Sequence, residues 1–244
     1  MKTIALTLKF EFNGNWMKLS PSLIVGNGEV ILVDCSNPGT LPILEDALAS
    51  EGYSLSDITK VVITHHDHDH FGAVSELKRK FPHIVVYASE IETPYLQGEK
   101  RSLRLQQAES IYESLPEDRK EWADKFHAYL KGLEPLMVDQ MVKGGTFIDE
   151  SNEVMVVETP GHMPGHISIY VKGDQTLIAG DALIVQNGEL LMANPQYSLD
   201  LEMACLSTRK LSELDIRRII CHHGGSFSHE VVEVREALKR ISFK

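Results

Sequence analysis

The segment Thr64-His65-His66-Asp67-His68-Asp69-His70 constrains this chain more than any other. It holds four of the 11 histidines and continues Lys60–Thr64 (KVVIT), a β-branched run of the kind that forms a buried strand. Imidazoles and carboxylates crowded at a strand end are what a transition-metal site requires. Alternate side chains of an extended chain share a side. His65, Asp67 and Asp69 are therefore expected to converge, while His66 and His68 point elsewhere and His70 turns back on entering a helix. The bland alternative is a solvated, histidine-rich loop. Three further strand ends speak against it: Thr159-Pro160-Gly161-His162, Ala179-Gly180-Asp181 and His222-His223-Gly224-Gly225. In open α/β architectures, ligand sites lie beyond the carboxyl ends of the strands.

The rest of the chain supplies the frame. Ser22–Val25 and Glu29–Asp34 read as strands joined by the hairpin signal Gly26-Asn27-Gly28. Pro42 opens a helix carrying Leu44 and Leu48. Ala73–Phe81 reads as a helix and His83–Ala88 as a strand. Between Gly98 and about Leu136 the chain is charged and helical. Leu105, Ala108, Tyr112 and Leu115 recur at helical spacing, and Trp122, Phe126, Tyr129 and Leu133 follow on one face of a second helix after Pro116. Strands return at Glu153–Glu158, Ile167–Val171, Thr176–Ala179 and Arg218–Cys221, with a helix from Leu201 to Leu211. The pattern is α/β, with residues 1–244 expected to form one domain and residues 98–136 a helical insertion.

Composition narrows the function. With 244 residues and 43% hydrophobic content, the chain can bury a sizeable core. A net charge of −11 without long Lys or Arg runs argues against a nucleic-acid partner. No run approaches membrane-spanning length, and the N-terminus lacks the apolar stretch of a signal peptide. Cys35, Cys205 and Cys221 are too few and too scattered for a disulfide framework, which suits a reducing compartment; a cytoplasmic location and a small-molecule substrate are expected.

The order His65, Asp69-His70, then TPGHMPGH with His162, AGD with Asp181 and HHGG with His223, resembles the metallo-β-lactamase-fold superfamily. Its hallmark is T-H-x-H-x-D-H followed by later His, Asp and His ligands. The likeness runs from Ser22 to about Ser226, apart from the insertion. It implies an α/β fold: an αβ/βα four-layer sandwich of two mixed sheets with helices outside and metals at the sheet edges. It also implies a dinuclear centre. His65, Asp67 and His162 would hold one ion, Asp69, His70 and His223 the other, with Asp181 and a water or hydroxide bridging. Asp67 departs from the hallmark, which has a second histidine there. The shifted register His66-x-His68-x-His70 would misplace the Asp-His pair. The H-x-D-x-D-H form resembles a minority subgroup, and also the flavodiiron proteins, where a glutamate stands at that place and the metal is iron.

Asp67 changes the charge. Two dications carry four positive charges, and three carboxylates with one hydroxide cancel all four. Such a site should have weaker Lewis acidity, a higher pKa for its bridging water and a taste for harder metals. Zinc is the expected metal, with iron or manganese as alternatives. The chemistry implied is metal-assisted hydrolysis of a small ester, lactone or thioester, lactonase-like, with Asp69 as proton acceptor. An iron-dependent redox enzyme, persulfide dioxygenase- or flavodiiron-like, and a non-catalytic metal binder are the competing readings.

Around this set, Asp34 either accepts a hydrogen bond from a ligand imidazole or caps a turn. Tyr197 either donates into the pocket or is a half-buried structural tyrosine. His166 is read as a polar strand residue, His222 as facing away from His223, His83, His127 and His229 as surface residues, and Cys221 as core. Trp122, Phe126, Met137 and Met141 of the insertion roof the pocket, form a homodimer surface, or add core.

Overall fold

The computed structural model describes residues 1–12 and 14–241. The expected domain range, 1–244, thus includes Asn13 and residues 242–244, which lie outside the described residues. The chain begins with β1 (Lys2–Ala5), β2 (Leu8–Phe12), β3 (Asn15–Leu19), β4 (Ser22–Gly26), β5 (Glu29–Val33) and α1 (Leu41–Ser50). There follow β6 (Lys60–Ile63), α2 (His68–Phe71), α3 (Val74–Lys80), β7 (Val85–Ser89), α4 (Thr93–Leu96), α5 (Leu103–Ser110), α6 (Glu117–Lys131) and β8 (Gln140–Val142). The second half comprises β9 (Val154–Glu158), β10 (Ile167–Val171), β11 (Thr176–Gly180), β12 (Leu183–Gln186), β13 (Glu189–Met192), α7 (Leu201–Leu211), β14 (Arg218–Cys221), β15 (Gly225–Ser228) and α8 (Val231–Arg240).

Two mixed sheets, ordered β1-β4-β5-β6-β7-β8 and β15-β14-β11-β10-β9, stack on one another. Their central strands, such as β6, β10, β11 and β14, are buried on both faces, which is why they read as continuous apolar runs. Side-chain alternation sorts each strand between two cores. Ile31, Val33 and Val62 of the first sheet meet Val156, Ile169, Ile178 and Ile220 of the second. Leu32, Val61 and Ile63 point the other way, onto Leu44 and Leu48 of α1 and Val74 and Leu77 of α3. Leu177, Ala179 and Ile219 pack outward with Cys205 and Leu211 of α7 and Val234 and Leu238 of α8. This is the αβ/βα four-layer sandwich. Two hairpins, β2–β3 and β12–β13, stand apart from the sheets. Among the described residues, no helix is long and apolar enough to cross a membrane.

Several expectations need correcting. The helix expected through Leu115 stops at Ser110, and Tyr112–Ser114 is a 3-10 turn. Leu115 precedes Pro116, whose ring disfavours helical backbone there, and Leu115 is extended (ψ 142°). His127 is buried rather than on the surface, packed against the Tyr112 ring. Met137 and Met141 are 66% and 62% exposed and are not among the residues that line the cavity over the candidate site. The hairpins, β1, β8, β15, α4 and α8 have no counterpart in the sequence reading.

Gly161 shows how tightly the second sheet's loops are docked. Its φ is +138°, and a Cβ there would lie 2.3 Å from the Ala204 backbone nitrogen of α7. Gly161→Ala is expected to cost roughly 1–3 kcal/mol of stability, seen as a lowered melting temperature; an unchanged melt would contradict this packing.

Candidate metal centre

The carboxyl ends of β6, β9, β11 and β14 meet at one edge of the sandwich, and each is followed by one or more of the proposed ligands. Ile167 N donates to Thr64 O (3.0 Å), stitching the two sheets together beside the site. After β6 the chain bends through Thr64, His65 and His66, is extended at Asp67 (φ −76°, ψ 144°), and enters the single turn α2 at His68. A bent loop rather than strand alternation therefore brings His65 and Asp67 together, and Asp69 reaches the site from a helical turn, next to His70.

Four overlapping groups of side chains come close enough to share an ion: His65–Asp67–His162, Asp69–His70–His223, His65–His70–Asp181 and Asp34–His70–His222; the first two match the expected ligand sets. Donors about 2.1 Å from one tetrahedral ion lie about 3.4 Å from each other. His65 Nε2 and His162 Nε2 lie 3.4 and 3.1 Å from Asp67 Oδ2. His223 Nε2 lies 3.2 Å from Asp69 Oδ2, and His70 Nε2 3.9 Å from Asp69 Oδ1. Asp181 stands between the groups, 3.4 Å from His70 Nε2, 3.6 Å from His162 Nε2 and 3.5 Å from His223 Nε2. His65 Nε2, His70 Nε2 and Asp181 Oδ1 are buried without a hydrogen-bond partner. Buried polar atoms are rarely left so, and these three face one another. The donor set fits two divalent ions.

Their supports explain the geometry. Asp34, at φ +59°, directly follows β5 and accepts from His70 Nδ1 (2.7 Å), Thr64 N (2.9 Å) and Thr64 Oγ1. The bond from His70 leaves its Nε2 free to face the site, so Asp34 orients the imidazole of a candidate ligand rather than a turn alone. His222 Nε2 donates to Asp69 O (3.0 Å) from beneath the His70 ring. His166 is more than a polar strand residue: its Nε2 accepts from Asp181 N (3.0 Å) and its Nδ1 meets Thr159 Oγ1 (2.8 Å). His66 turns away to Glu92, whose other oxygen accepts from Gly165 N (2.8 Å) in the loop of His162. His68, expected to point elsewhere, lines the cavity described below, its Nδ1 on Asn37 Oδ1 (2.6 Å).

Electrostatics follow from burial. Burial opposes ionisation of Asp67, but the Arg104 guanidinium and His162 and His65 outweigh it and hold the carboxyl well below its usual range. Asp69 and Asp181 are likewise held low against burial, chiefly by His70 for Asp69 and by His223 for Asp181. In return, the carboxylates overcome burial at His223 and push it up to about 10. Arg104 was not among the residues singled out from the sequence; a lone arginine in a charged helix carries no signal of its own.

A cavity of about 500 Å³ opens over both groups. Phe12 and Met17 of the β2–β3 hairpin, Trp122 and Phe126 of α6, and Ile184 of β12 form apolar walls, with Asn194 and Tyr197 also lining it. Tyr197 is 48% exposed at this rim.

A model of the metallo-beta-lactamase superfamily matches residues 19–223. The chain belongs to that superfamily. It is 27% identical over 239 residues to the probable metallo-hydrolase YflN of Bacillus subtilis strain 168, covering 86% of this chain and 83% of that protein. It is 32% identical over 170 residues to YobT of the same organism, across 68% of this chain and 62% of YobT. A metallo-beta-lactamase family protein of Thermus thermophilus superposes with a TM-score of 0.72 at 22% identity, over 97% of this chain and 78% of that one. The fold expectation is thus met.

Two outcomes follow. A metal ligand must be unprotonated, so an ion binding at His223 displaces the proton that the carboxylates hold there at neutral pH. Zinc uptake should release protons, and affinity should rise from about pH 6 to about pH 8; calorimetry in buffers of differing ionisation enthalpy would measure both, and a flat profile would contradict the pairing. Asp34→Ala should weaken zinc binding roughly 10- to 100-fold by freeing His70, as chelator competition would show.

Proposed function

We propose that this chain is a hydrolase that uses two divalent ions, zinc by default, to cleave a small ester, lactone or thioester. The observation that carries the reading is that both ligand groups open on one apolar-walled cavity. When bound, the ions supply an activated water and an electrophile for the carbonyl oxygen. His65, Asp67 and His162 would hold one ion, Asp69, His70 and His223 the other, and Asp181 lies between. Asp69 lines the cavity beside His223 and is the proposed proton acceptor. Phe12, Met17, Trp122, Phe126 and Ile184 offer an acyl portion somewhere to bury, while Asn194 and Tyr197 can orient polar atoms at the rim. The probable metallo-hydrolase named among the relatives points the same way.

The carboxylate at position 67 is what favours the other reading, an iron-dependent redox enzyme. Elemental analysis of protein purified without added metal, followed by assays of esters, lactones and thioesters under anaerobic conditions, separates the two. About two equivalents of metal and hydrolysis without oxygen are expected. Asp69→Asn, assayed with zinc saturating both groups, should lower kcat by about 10²–10⁴; full activity would remove that role. Bound iron, oxygen consumption and no hydrolysis would replace this reading with the redox one.

A further inference from the structure

The carboxylate at position 67 does not stand alone. Arg104, the second residue of α5, is 6% exposed. Its Nε donates to Asp67 Oδ1 (3.0 Å) and Oδ2 (3.1 Å), and its Nη2 to Oδ2 as well. Its Nη1 donates to Gln107 Oε1, one turn along the helix, and Gln107 Nε2 donates to the Gln196 carbonyl (3.1 Å). The Tyr197 ring centroid lies 5.4 Å from the guanidinium carbon. The start of α5 is itself tied to the ligand loop, because Leu103 N donates to His66 Nε2 (3.2 Å). Arg104 is therefore aimed at Asp67 by the residue that follows the ligand His65.

A guanidinium keeps its charge at any ordinary pH, and a buried charge persists only if it is paired and hydrogen-bonded. Asp67, Asp69 and Asp181 bring three negative charges to the site, and Arg104 returns one positive. The remaining charge of −2 equals that of a site with a neutral histidine at position 67 and no arginine.

We infer that Asp67 and Arg104 form one exchanged unit in place of a neutral imidazole, with Arg104 a positioning residue that both fixes the Asp67 carboxylate toward His65 and His162 and cancels its charge. The inference rests on the metal-binding reading of the site. It also removes the reason to expect a harder metal, since that expectation counted Asp67 without its partner. Arg104 Nη2 lies 3.1 Å from His162 Nε2 as well. The lone pair there serves either the guanidinium or an ion, so ion binding would cost Arg104 this contact and leave its hold on Asp67.

The test is a double-mutant cycle read by zinc stoichiometry and by chelator competition on the full chain. Arg104→Leu and Asp67→His are each expected to weaken the more loosely held zinc by at least about tenfold. The double variant Asp67→His/Arg104→Leu should return to within about threefold of the parent, because the two losses share one cause. Arg104→Lys keeps the charge but not the fork and should fall between; it also serves where Leu disrupts folding. Losses that simply multiply in the double variant, with the parent binding metal normally, would overturn the pairing alone. A second zinc equivalent gained by Arg104→Leu would overturn it too, showing that the guanidinium excludes an ion. A parent that takes up no zinc, iron or manganese would overturn the metal reading and this inference with it.

Discussion

Four buried carboxylates at one edge of a sandwich are the constraint on which the rest depends. Asp34, Asp67, Asp69 and Asp181 are each less than one-tenth exposed. Ionised groups out of water persist only with counter-charge and hydrogen bonds. Each has its own answer: Asp34 takes His70 and Thr64, Asp67 takes Arg104, and Asp69 and Asp181 share His70 and His223. An edge where strands from both sheets terminate can gather so many donors, because the strand interiors on either side are apolar. The pull of these carboxylates on cations is what makes the site, and protons, a guanidinium and divalent ions are the cations on offer.

Much of this was written plainly in the sequence. KVVIT and ISIYV are continuous apolar runs because sheets covered on both faces need them, and histidines or aspartates directly beyond such runs stand out. The loops that carry the candidate ligands are legible for that reason. Extended-chain alternation does not account for the ligand positions, because the chain bends at residues 64–66 and α2 begins at His68, so Asp69 and His70 arrive by a helical turn. The β2–β3 hairpin carries its own signal, since LKFEF alternates apolar and charged residues ahead of an Asn-Gly pair. A search for metal ligands passes over such a signal, yet Phe12 and Met17 wall the cavity.

What could not be read was set by tertiary structure. Arg104 sits among Lys100, Arg101 and Glu109, and a charged stretch of helix is ordinarily a solvated face. Only the docking of α5 over the ligand loop turns one of these cations inward. His66 likewise reads as a spare imidazole until Glu92, 26 positions away, and Leu103 are seen on either side of its ring. A charge balance drawn from the ligand list alone therefore reaches neutrality where the folded site does not.

The segment of α5 and α6 thus has two duties in one packed unit. α5 delivers Arg104 to Asp67, and α6, packed against it, delivers Trp122 and Phe126 to the cavity wall. The attachments of the two differ in kind. Arg104 is held by directional bonds through His66, Gln107 and the Gln196 carbonyl, none of which involves α6. Trp122 and Phe126 stack on each other, and Trp122 is half-exposed. Side chains on that face of α6 can therefore change size and shape without disturbing the guanidinium, because non-directional contacts tolerate replacement and a bidentate pair does not. The apolar wall of the cavity is free to vary, while the guanidinium beside Asp67 is fixed a few ångströms away.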